Sequence, residues 1–194
     1  MTTVYLARHG ESDWNAASRF QGHSDRPLTE LGRRQAEALS EKLASHTALS
    51  AIYSSPLGRA FETASIVGAR LGLEPVSDDD LREVDVGGWS GLSRSEVEAR
   101  YPDAFRRWLN GGEGWEDGET YADMAARVLD ALRRIAERHP GQEVLVVSHG
   151  GPIRAIHAVA AGMAVHEYRR LHRVEGNADV SRVAVEDGRI SRLD

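Results

Sequence analysis

The sequence predicts an α/β fold, a three-layer α/β/α sandwich with a mostly parallel central sheet. Short apolar segments at residues 4–7, 50–54 and 143–147 have the length and composition of buried strands, and a helical pattern follows each of them. Parallel strands need a crossover connection, and a helix is the usual one. Because 41% of the 194 residues are hydrophobic, the chain can bury one core, so we expect a single domain over residues 1–194.

The first strand–helix unit begins at residue 4. Its strand ends at the tripeptide Arg8-His9-Gly10, and a polar loop leads to Thr29-Glu30, where an acidic residue opens a helix. The apolar side predicted for that helix holds three leucines, Leu31, Leu39 and Leu43.

The second unit begins with the strand at 50–54, which ends in Ser54-Ser55-Pro56. A helix is predicted over residues 57–71, and a short third strand over 74–77. The apolar residues at helical spacing are Ala60, Ala64, Val67 and Leu71.

The middle of the chain, residues 84–118, loses regular periodicity and is rich in Gly and Trp, so we interpret it as an insertion or cap beside the sheet. Within it, Ser93-x-x-Glu96 is a capping box for a short helix that ends at Pro102. A longer amphipathic helix is predicted from residue 120 to about residue 139.

The clearest buried strand, residues 143–147, ends at Ser148-His149-Gly150-Gly151. A helix is predicted over about 153–161. Residues 180–190 alternate between apolar and polar with Asp187-Gly188 between the halves, which is typical of a β-hairpin.

Three polar tripeptides therefore follow predicted strands: Arg8-His9-Gly10, Ser54-Ser55-Pro56 and Ser148-His149-Gly150. In parallel sheets of this kind, functional residues lie just beyond the carboxyl ends of the strands. We expect the three tripeptides to meet on one rim of the sheet.

Composition excludes several chemistries. The chain has no cysteine, which excludes disulfides, thiolate metal sites and cysteine nucleophiles, and Lys42 is its single lysine. A net charge of −6 argues against a nucleic-acid partner, and we expect no membrane association because no segment is long and apolar enough to span a bilayer. No targeting segment is recognisable, so the expected location is the cytoplasm.

The eight histidines are the leading candidate nucleophiles, and His9 and His149 are the two at strand ends. Such a pair suits either metal ligation or phosphate chemistry. A metal would need a third ligand such as Asp13 or Glu83, and no His-x-x-x-His pair offers one, so we expect no metal. Of the other histidines, His23 is a candidate for the mouth of the site, whereas His157 lies in an apolar helix and is expected to be a packing residue.

Phosphate chemistry accounts for more of the residues expected on this rim than metal ligation does. Arg8 and Arg59 carry fork-shaped donors that match a phosphate dianion. Glycines at positions 10, 150 and 151 would let backbone amides approach it closely, next to a helix N-terminus that favours anions.

Four motifs occur in a characteristic order. The first is Arg8-His9-Gly10-Glu11-Ser12-x-x-Asn15, continued by Gln21-Gly22-x-x-Asp25-x-x-Leu28-Thr29-x-x-Gly32, and the second is Ser54-Ser55-Pro56-x-x-Arg59-Ala60-x-x-Thr63-Ala64. The third is Leu81-Arg82-Glu83 ahead of Gly87-x-Trp89-x-Gly91, and the fourth is Ser148-His149-Gly150-Gly151. From residue 4 to about residue 156 the chain resembles the histidine phosphatase superfamily, the phosphoglycerate-mutase-like proteins.

The resemblance implies roles for these residues. His9 would be the nucleophile that becomes phosphohistidine, Glu83 the proton donor, and His149 part of the phosphate pocket. The substrate contacts that it implies come from Arg8, Asn15, Gln21, Gly22, Arg59 and Gly150. No cofactor is implied.

Within this family, the sequence favours a phosphatase over a mutase. Cofactor-dependent mutases carry a Lys- and Arg-rich insertion that grips a second phosphoryl group, whereas residues 93–119 contain no lysine and have Arg100, Arg106 and Arg107 as their main cations. Gly118-Glu119-Thr120 resembles the Gly-Glu-Ser that precedes the long helix in the phosphatases.

We therefore predict a metal-independent phosphomonoester hydrolase that acts on a small phosphorylated metabolite. Two alternatives stay open: a cofactor-dependent phosphoglycerate mutase, and a catalytically silent phosphate-binding module on the same fold. The expected partner is a small-molecule phosphate ester, with specificity determined by residues 84–118, and a homodimer is left open.

Overall fold

The computed structural model describes residues 1–46 and 48–193. Within them, six strands form one sheet in the order β3-β2-β4-β1-β5-β6. The first four in this order run parallel, whereas β5 pairs antiparallel with both β1 and β6. The strands are β1 (Thr2–Arg8), β2 (Leu49–Ser54), β3 (Pro75–Ser77), β4 (Glu143–Ser148), β5 (Val180–Glu186) and β6 (Arg189–Arg192).

Eight α-helices connect the strands within the described residues, together with two short 3-10 turns. The helices are α1 (Asp13–Ala16), α2 (Glu30–His46), α3 (Gly58–Leu71), α4 (Arg94–Arg100), α5 (Pro102–Leu109), α6 (Tyr121–Arg138), α7 (Gly150–Ala160) and α8 (Val165–Leu171). No helix of the described chain has the length and apolar character needed to cross a membrane.

The sheet separates two apolar clusters, because successive side chains of a strand point to opposite faces. On β4, Val144 and Val146 pack with residues of α6 and α7, whereas Leu145 and Val147 pack with residues of α2 and α3. All four valine and leucine side chains are fully buried. The three-layer α/β/α prediction with a mostly parallel sheet is therefore confirmed.

The register of the central strands places the functional tripeptides. Arg8 at the end of β1 pairs with Ser148 at the end of β4, so His9 and His149 leave adjacent strands side by side. Ser54 of β2 pairs with Val147 on the other side of β4.

The structure differs from the sequence predictions at several element boundaries. Leu31 is 44% exposed, whereas Leu39 and Leu43 are buried, so the apolar side predicted for α2 is wrong at its first position. Helix α7 begins at Gly150, three residues earlier than predicted. Helix α4 ends at Arg100, two residues before the predicted end at Pro102, and Pro102 is the first residue of α5.

Helix α8 (Val165–Leu171) and the short helix α1 were not predicted. Both have seven residues or fewer, which is too short for a repeating apolar pattern to emerge.

The segment 84–118 packs onto the sheet through aromatic side chains. Trp89 lies edge-on to Trp115 and Phe20, with ring centroids 5.7 and 5.1 Å apart, and Phe105 stacks on Trp108. These rings belong to or contact the same apolar cluster as Val146 of β4. The segment thus shares its core with the sheet.

Candidate active site

A cavity of about 940 Å³ lies where β1 and β4 end. Arg8 and His9 line it after β1, and Gly150 and Gly151 line it after β4. The third predicted tripeptide, Ser54-Ser55-Pro56, does not line the cavity. It contacts the site indirectly, because the Ser55 hydroxyl is hydrogen-bonded to His149.

His9 is held as a neutral imidazole with a defined tautomer. Its Nδ1 lies 2.6 Å from the carbonyl oxygen of Gly10, and only an N–H can satisfy that contact, so Nε2 carries the lone pair. Burial, with the nearby charges of Arg59 and Arg8, lowers the pKa of His9 well below 6.5. A neutral imidazole with a lone pair on Nε2 can act as a nucleophile without a base to deprotonate it.

The backbone around His9 is fixed by close contacts. The amide of Gly10 donates to Thr63 Oγ1, and Asn177 Nδ2 donates to the carbonyl of His9. A Cβ at Gly10 would lie 2.3 Å from the carbonyl oxygen of Gly32, so only glycine allows the loop to pass this close.

Arg59 is buried at the floor of the cavity, with 1% of its surface exposed. Its Nη1 donates to the carbonyl of Ser24 and its Nη2 to that of Gly22, while its Nε has no partner among the described residues. Burial lowers the pKa of Arg59 to about 10, so the guanidinium stays cationic at neutral pH.

Arg8 is arranged in the same way. Its Nη1 donates to the carbonyl of Glu175 over 2.6 Å, and its buried Nε is left without a partner among the described residues. One end of each guanidinium is thus anchored to backbone, and the other is left available.

His149 is fully buried, with its ring centroid 5.1 Å from that of His9. Its Nε2 lies 2.8 Å from Ser55 Oγ, which already accepts from the amide of Leu57. The Ser55 hydroxyl is therefore free to donate to Nε2, which puts the His149 proton on Nδ1. Burial, and then the charge of Arg59, lower the pKa of His149 well below 6.5.

Three buried nitrogens around His9 consequently lack a protein partner in the described chain: Arg8 Nε, Arg59 Nε and His149 Nδ1. Leaving a buried donor unpaired costs about 1–3 kcal/mol, more for a charged group. Such donors suit the oxygens of an anion.

Glu83 lies half-buried on the cavity wall, facing the start of α7. Its Oε1 accepts from the amides of Val84 and Gly151 at 2.9 and 3.1 Å. A Cβ at Gly151 would lie 2.2 Å from Oε1, so the glycine makes room for the carboxyl group.

Arg127 of α6 holds the segment that carries Glu83, and the sequence interpretation did not single it out. Its guanidinium donates to the backbone carbonyls of Asp80, Arg82 and Glu83, and it forms a two-pronged ion pair with Glu119. The signal in the sequence was Glu119 in the Gly118-Glu119-Thr120 motif, whose partner only the fold reveals.

Asn15, Gln21 and Gly22 line the cavity further out. Ser12 joins the first two, since its hydroxyl oxygen lies 3.0 Å from Asn15 Oδ1 and 2.7 Å from Gln21 Oε1. Gly22 contributes the carbonyl that anchors Arg59, so it acts on the floor of the cavity through Arg59.

The other histidines occupy different places. His23 donates from Nε2 to the carbonyl of Glu83 at 2.7 Å, and it does not line the cavity. His157 is buried as expected of a packing residue, but its Nδ1 also pairs with Glu175 at 2.9 Å.

The metal alternative gains no support from the geometry. Among residues 1–46 and 48–193, no group of three or more His, Asp or Glu side chains is placed to hold a metal ion. Asp13, which was weighed as a third ligand, is paired with Arg26.

Arg100, Arg106 and Arg107, expected to be the main cations of the cap, do not line the cavity. Its additional arginines come mostly from α7, α8 and the loop that follows α8.

A neutral imidazole surrounded by unpaired cationic donors, on the rim of a parallel sheet, defines an α/β protein built to handle phosphate. The chain belongs to the histidine phosphatase superfamily (branch 1), whose model matches residues 4–193. The family predicted from the four motifs is therefore confirmed.

Some relatives within the family are named phosphatases, and others are named mutases. The chain is 38% identical over 170 residues to phosphoserine phosphatase 1 of Hydrogenobacter thermophilus, covering 87% of this chain and 80% of that protein. It is 36% identical over 185 residues to the probable phosphoglycerate mutase GpmB of Yersinia pestis, covering 94% and 85%. The structure of a mycobacterial glucosyl-3-phosphoglycerate phosphatase in complex with VO3 superposes with a TM-score of 0.90 at 32% identity, covering 99% of this chain and 97% of that one.

Proposed function

We propose that this protein is a metal-independent phosphomonoester hydrolase that works through a phosphohistidine on His9. The observation that carries the proposal is the set of three unpaired buried donors, Arg8 Nε, Arg59 Nε and His149 Nδ1, around a neutral imidazole. Relatives that are named phosphatases support it.

In the first step, His9 Nε2 attacks phosphorus in line, so that an N–P bond forms while the ester P–O bond breaks. Arg8, Arg59 and His149 stabilise the charge on the equatorial oxygens. Glu83 gives its proton to the departing alkoxide, which leaves as the alcohol.

In the second step, the Glu83 carboxylate takes a proton from water, which attacks the phosphohistidine. The N–P bond breaks, inorganic phosphate leaves and the His9 lone pair is restored. The hydrogen bonds from the backbone amides of Val84 and Gly151 hold the Glu83 carboxyl group in place for both proton transfers.

The outer residues complete the proposal. Asn15, Gln21 and the amide of Gly150 contact the substrate, and Gly22 positions Arg59. We propose residues 1–194 as one catalytic domain, with 84–118 as a cap whose Trp108 and Trp115 help to shape the cavity, and the cytoplasm as its location.

The test is to trap the phosphoenzyme with a ³²P-labelled phosphate ester and to compare His9→Ala with His166→Ala, a change at an exposed histidine of α8. The wild type and His166→Ala should form an acid-labile, base-stable adduct and release phosphate from p-nitrophenyl phosphate, whereas His9→Ala should do neither. Full activity in His9→Ala would refute the mechanism.

The alternatives are separated by product analysis. A mutase would convert 3-phosphoglycerate to 2-phosphoglycerate when primed with 2,3-bisphosphoglycerate, whereas the hydrolase releases inorganic phosphate. A silent module would bind phosphate without turnover of any ester.

A further inference from the structure

A turn near the far end of the chain holds the backbone at the end of β1. Residues 176–179 lie just before β5, and the amide of Ala178 donates to the carbonyls of Arg8 and His9 at 3.0 and 3.2 Å. The amide of Arg8 in turn donates to the carbonyl of Asp179 at 3.1 Å. The turn therefore extends the pairing of β1 with β5 up to the nucleophile.

Asn177 lies in this turn, and neither the four motifs nor the two chemical steps involve it. Its side chain is half-buried and does not line the cavity. Its Nδ2 donates to the carbonyl of His9 at 3.0 Å and to Oδ1 of Asn15 at 3.3 Å. A carbonyl oxygen can only accept, so the contact with His9 identifies Nδ2 as the donor. One side chain thus holds two residues that lie 168 and 162 positions before it.

The contact with His9 fixes the peptide group that joins His9 to Gly10. The oxygen of this peptide accepts from Asn177 and from the amide of Ala178, while its N–H donates to Thr63 Oγ1 at 3.0 Å. A peptide group is planar, so holding both ends fixes its orientation and thereby the direction in which the chain leaves Gly10. The carbonyl of Gly10 is the acceptor that keeps the proton on His9 Nδ1. Asn177 therefore acts on the tautomer and the direction of the imidazole.

The contact with Asn15 orients a second side chain of the site. Oδ1 of Asn15 also accepts from the backbone amide of Ser12 at 3.1 Å. An amide N–H can only donate, which identifies this end of the Asn15 side chain as its oxygen. Its Nδ2 is left without a partner in the described chain, on a residue that lines the cavity. It is thus available to an oxygen of the phosphoryl group.

We propose that Asn177 is a positioning residue for phosphoryl transfer, which holds the backbone of His9 and the side chain of Asn15 in one geometry. The His9 Nε2 lone pair and Asn15 Nδ2 then meet the same phosphoryl group. Both contacts need N–H donors on a short side chain, which Asn supplies, whereas an ionised Asp of the same shape offers only acceptors. The proposal rests on the hydrolase function above.

Loss of the Asn177 amide should affect the rate more than the fold. The amide of Ala178 still donates to the carbonyls of Arg8 and His9, so the turn stays attached to β1. A nucleophile displaced by about 1 Å, in contrast, can lower a rate by about 10²-fold.

The test measures kcat/KM for p-nitrophenyl phosphate in Asn177→Asp and Asn177→Ala, with Asn110→Ala as the matched control. Asn110 is exposed at the end of α5, and its Nδ2 donates to a backbone carbonyl, that of Arg106. Both Asn177 variants should lose about tenfold to a hundredfold in kcat/KM, and Asn110→Ala should stay within about twofold of the wild type. If Asn177 only filled space, Asn177→Asp would keep the wild-type rate.

A second measurement reads the imidazole directly and needs no turnover. In ¹⁵N NMR of the protein labelled on its histidine rings, His9 is assigned by its absence from the spectrum of His9→Ala. At neutral pH the wild type should show the proton of His9 on Nδ1 and a lone pair on Nε2. Both Asn177 variants should show a mixture of the two tautomers, and Asn110→Ala should match the wild type.

A wild-type rate or an unchanged His9 spectrum in either Asn177 variant would overturn the positioning role and leave the hydrolase proposal intact. Loss of the fold in both variants by circular dichroism would overturn it as well, since the residue would then be structural. If the wild type turns over no ester, the hydrolase proposal fails, and the spectra alone decide. A mixture of tautomers in the variants then supports the positioning role, and the wild-type tautomer overturns it.

Discussion

The buried histidine pair makes the stability of this protein sensitive to acid, by an amount that can be worked out. His9 and His149 are 2% and 0% exposed, and burial lowers the pKa of each well below 6.5. In the unfolded chain, both return to a pKa near 6.5. Below that pH the unfolded state therefore binds protons that the folded state does not, and stability is lost as the pH falls.

Each such histidine costs about 1.4 kcal/mol between pH 7.5 and pH 5.5, so the pair costs about 3 kcal/mol. That is a large part of the 5–15 kcal/mol typical of a folded domain. The assay is urea unfolding at both pH values, with the free energy of unfolding extrapolated to water.

The control is the double variant His9→Asn with His149→Asn. Between pH 7.5 and pH 5.5, the free energy of unfolding of this variant should change by about 3 kcal/mol less than that of the wild type, whatever its absolute stability. The carboxylates and the remaining histidines contribute equally to both proteins. An identical pH difference in the wild type and the double variant would contradict this prediction, since it would mean that the two imidazoles take up protons in the folded state.

The remaining predictions concern Glu83, its supports and metal independence. Glu83→Gln should slow hydrolysis of alkyl phosphates by about 10²-fold or more and that of p-nitrophenyl phosphate far less, because nitrophenolate leaves without a proton; equal losses in a comparison of the two rates would place the acid elsewhere. Gly151→Ala should resemble it in the same comparison, since the added Cβ would lie 2.2 Å from Glu83 Oε1, and unchanged rates on both esters would contradict this. Arg127→Gln should lower the free energy of unfolding in urea by about 2–4 kcal/mol, because it leaves Glu119 and the carbonyls of Asp80 and Arg82 without their donor. Excess EDTA should leave the initial rate unchanged, and a loss that added metal restores would revive the metal alternative.

The rim could be predicted because it depends on local signals. A buried run of apolar residues followed by Arg8-His9-Gly10 or Ser148-His149-Gly150 predicts a strand and the residues at its end, and parallel pairing brings the ends together. Arg59 could be predicted as a site residue from its position at the start of a helix.

The other arginines that line the cavity could not be predicted from the same signals. Arg169 is one of many arginines in the sequence, and it is distinguished only by its contact with Tyr121, 48 positions earlier in the chain. It also lies on α8, whose seven residues are too few for a periodic pattern. The sequence therefore indicated residues 93–119 as the source of further cations, whereas four of the six further arginines that line the cavity lie between positions 154 and 173.

The arginines that line the cavity change the basis for choosing between a hydrolase and a mutase. The scarcity of cations in residues 93–119 predicted a cavity with one strong phosphate site, but six arginines other than Arg8 and Arg59 line it. The charge of the cavity therefore no longer separates the two reactions. What separates them is the fate of the phosphohistidine: Glu83 must be able to direct water at it before the alcohol rebinds.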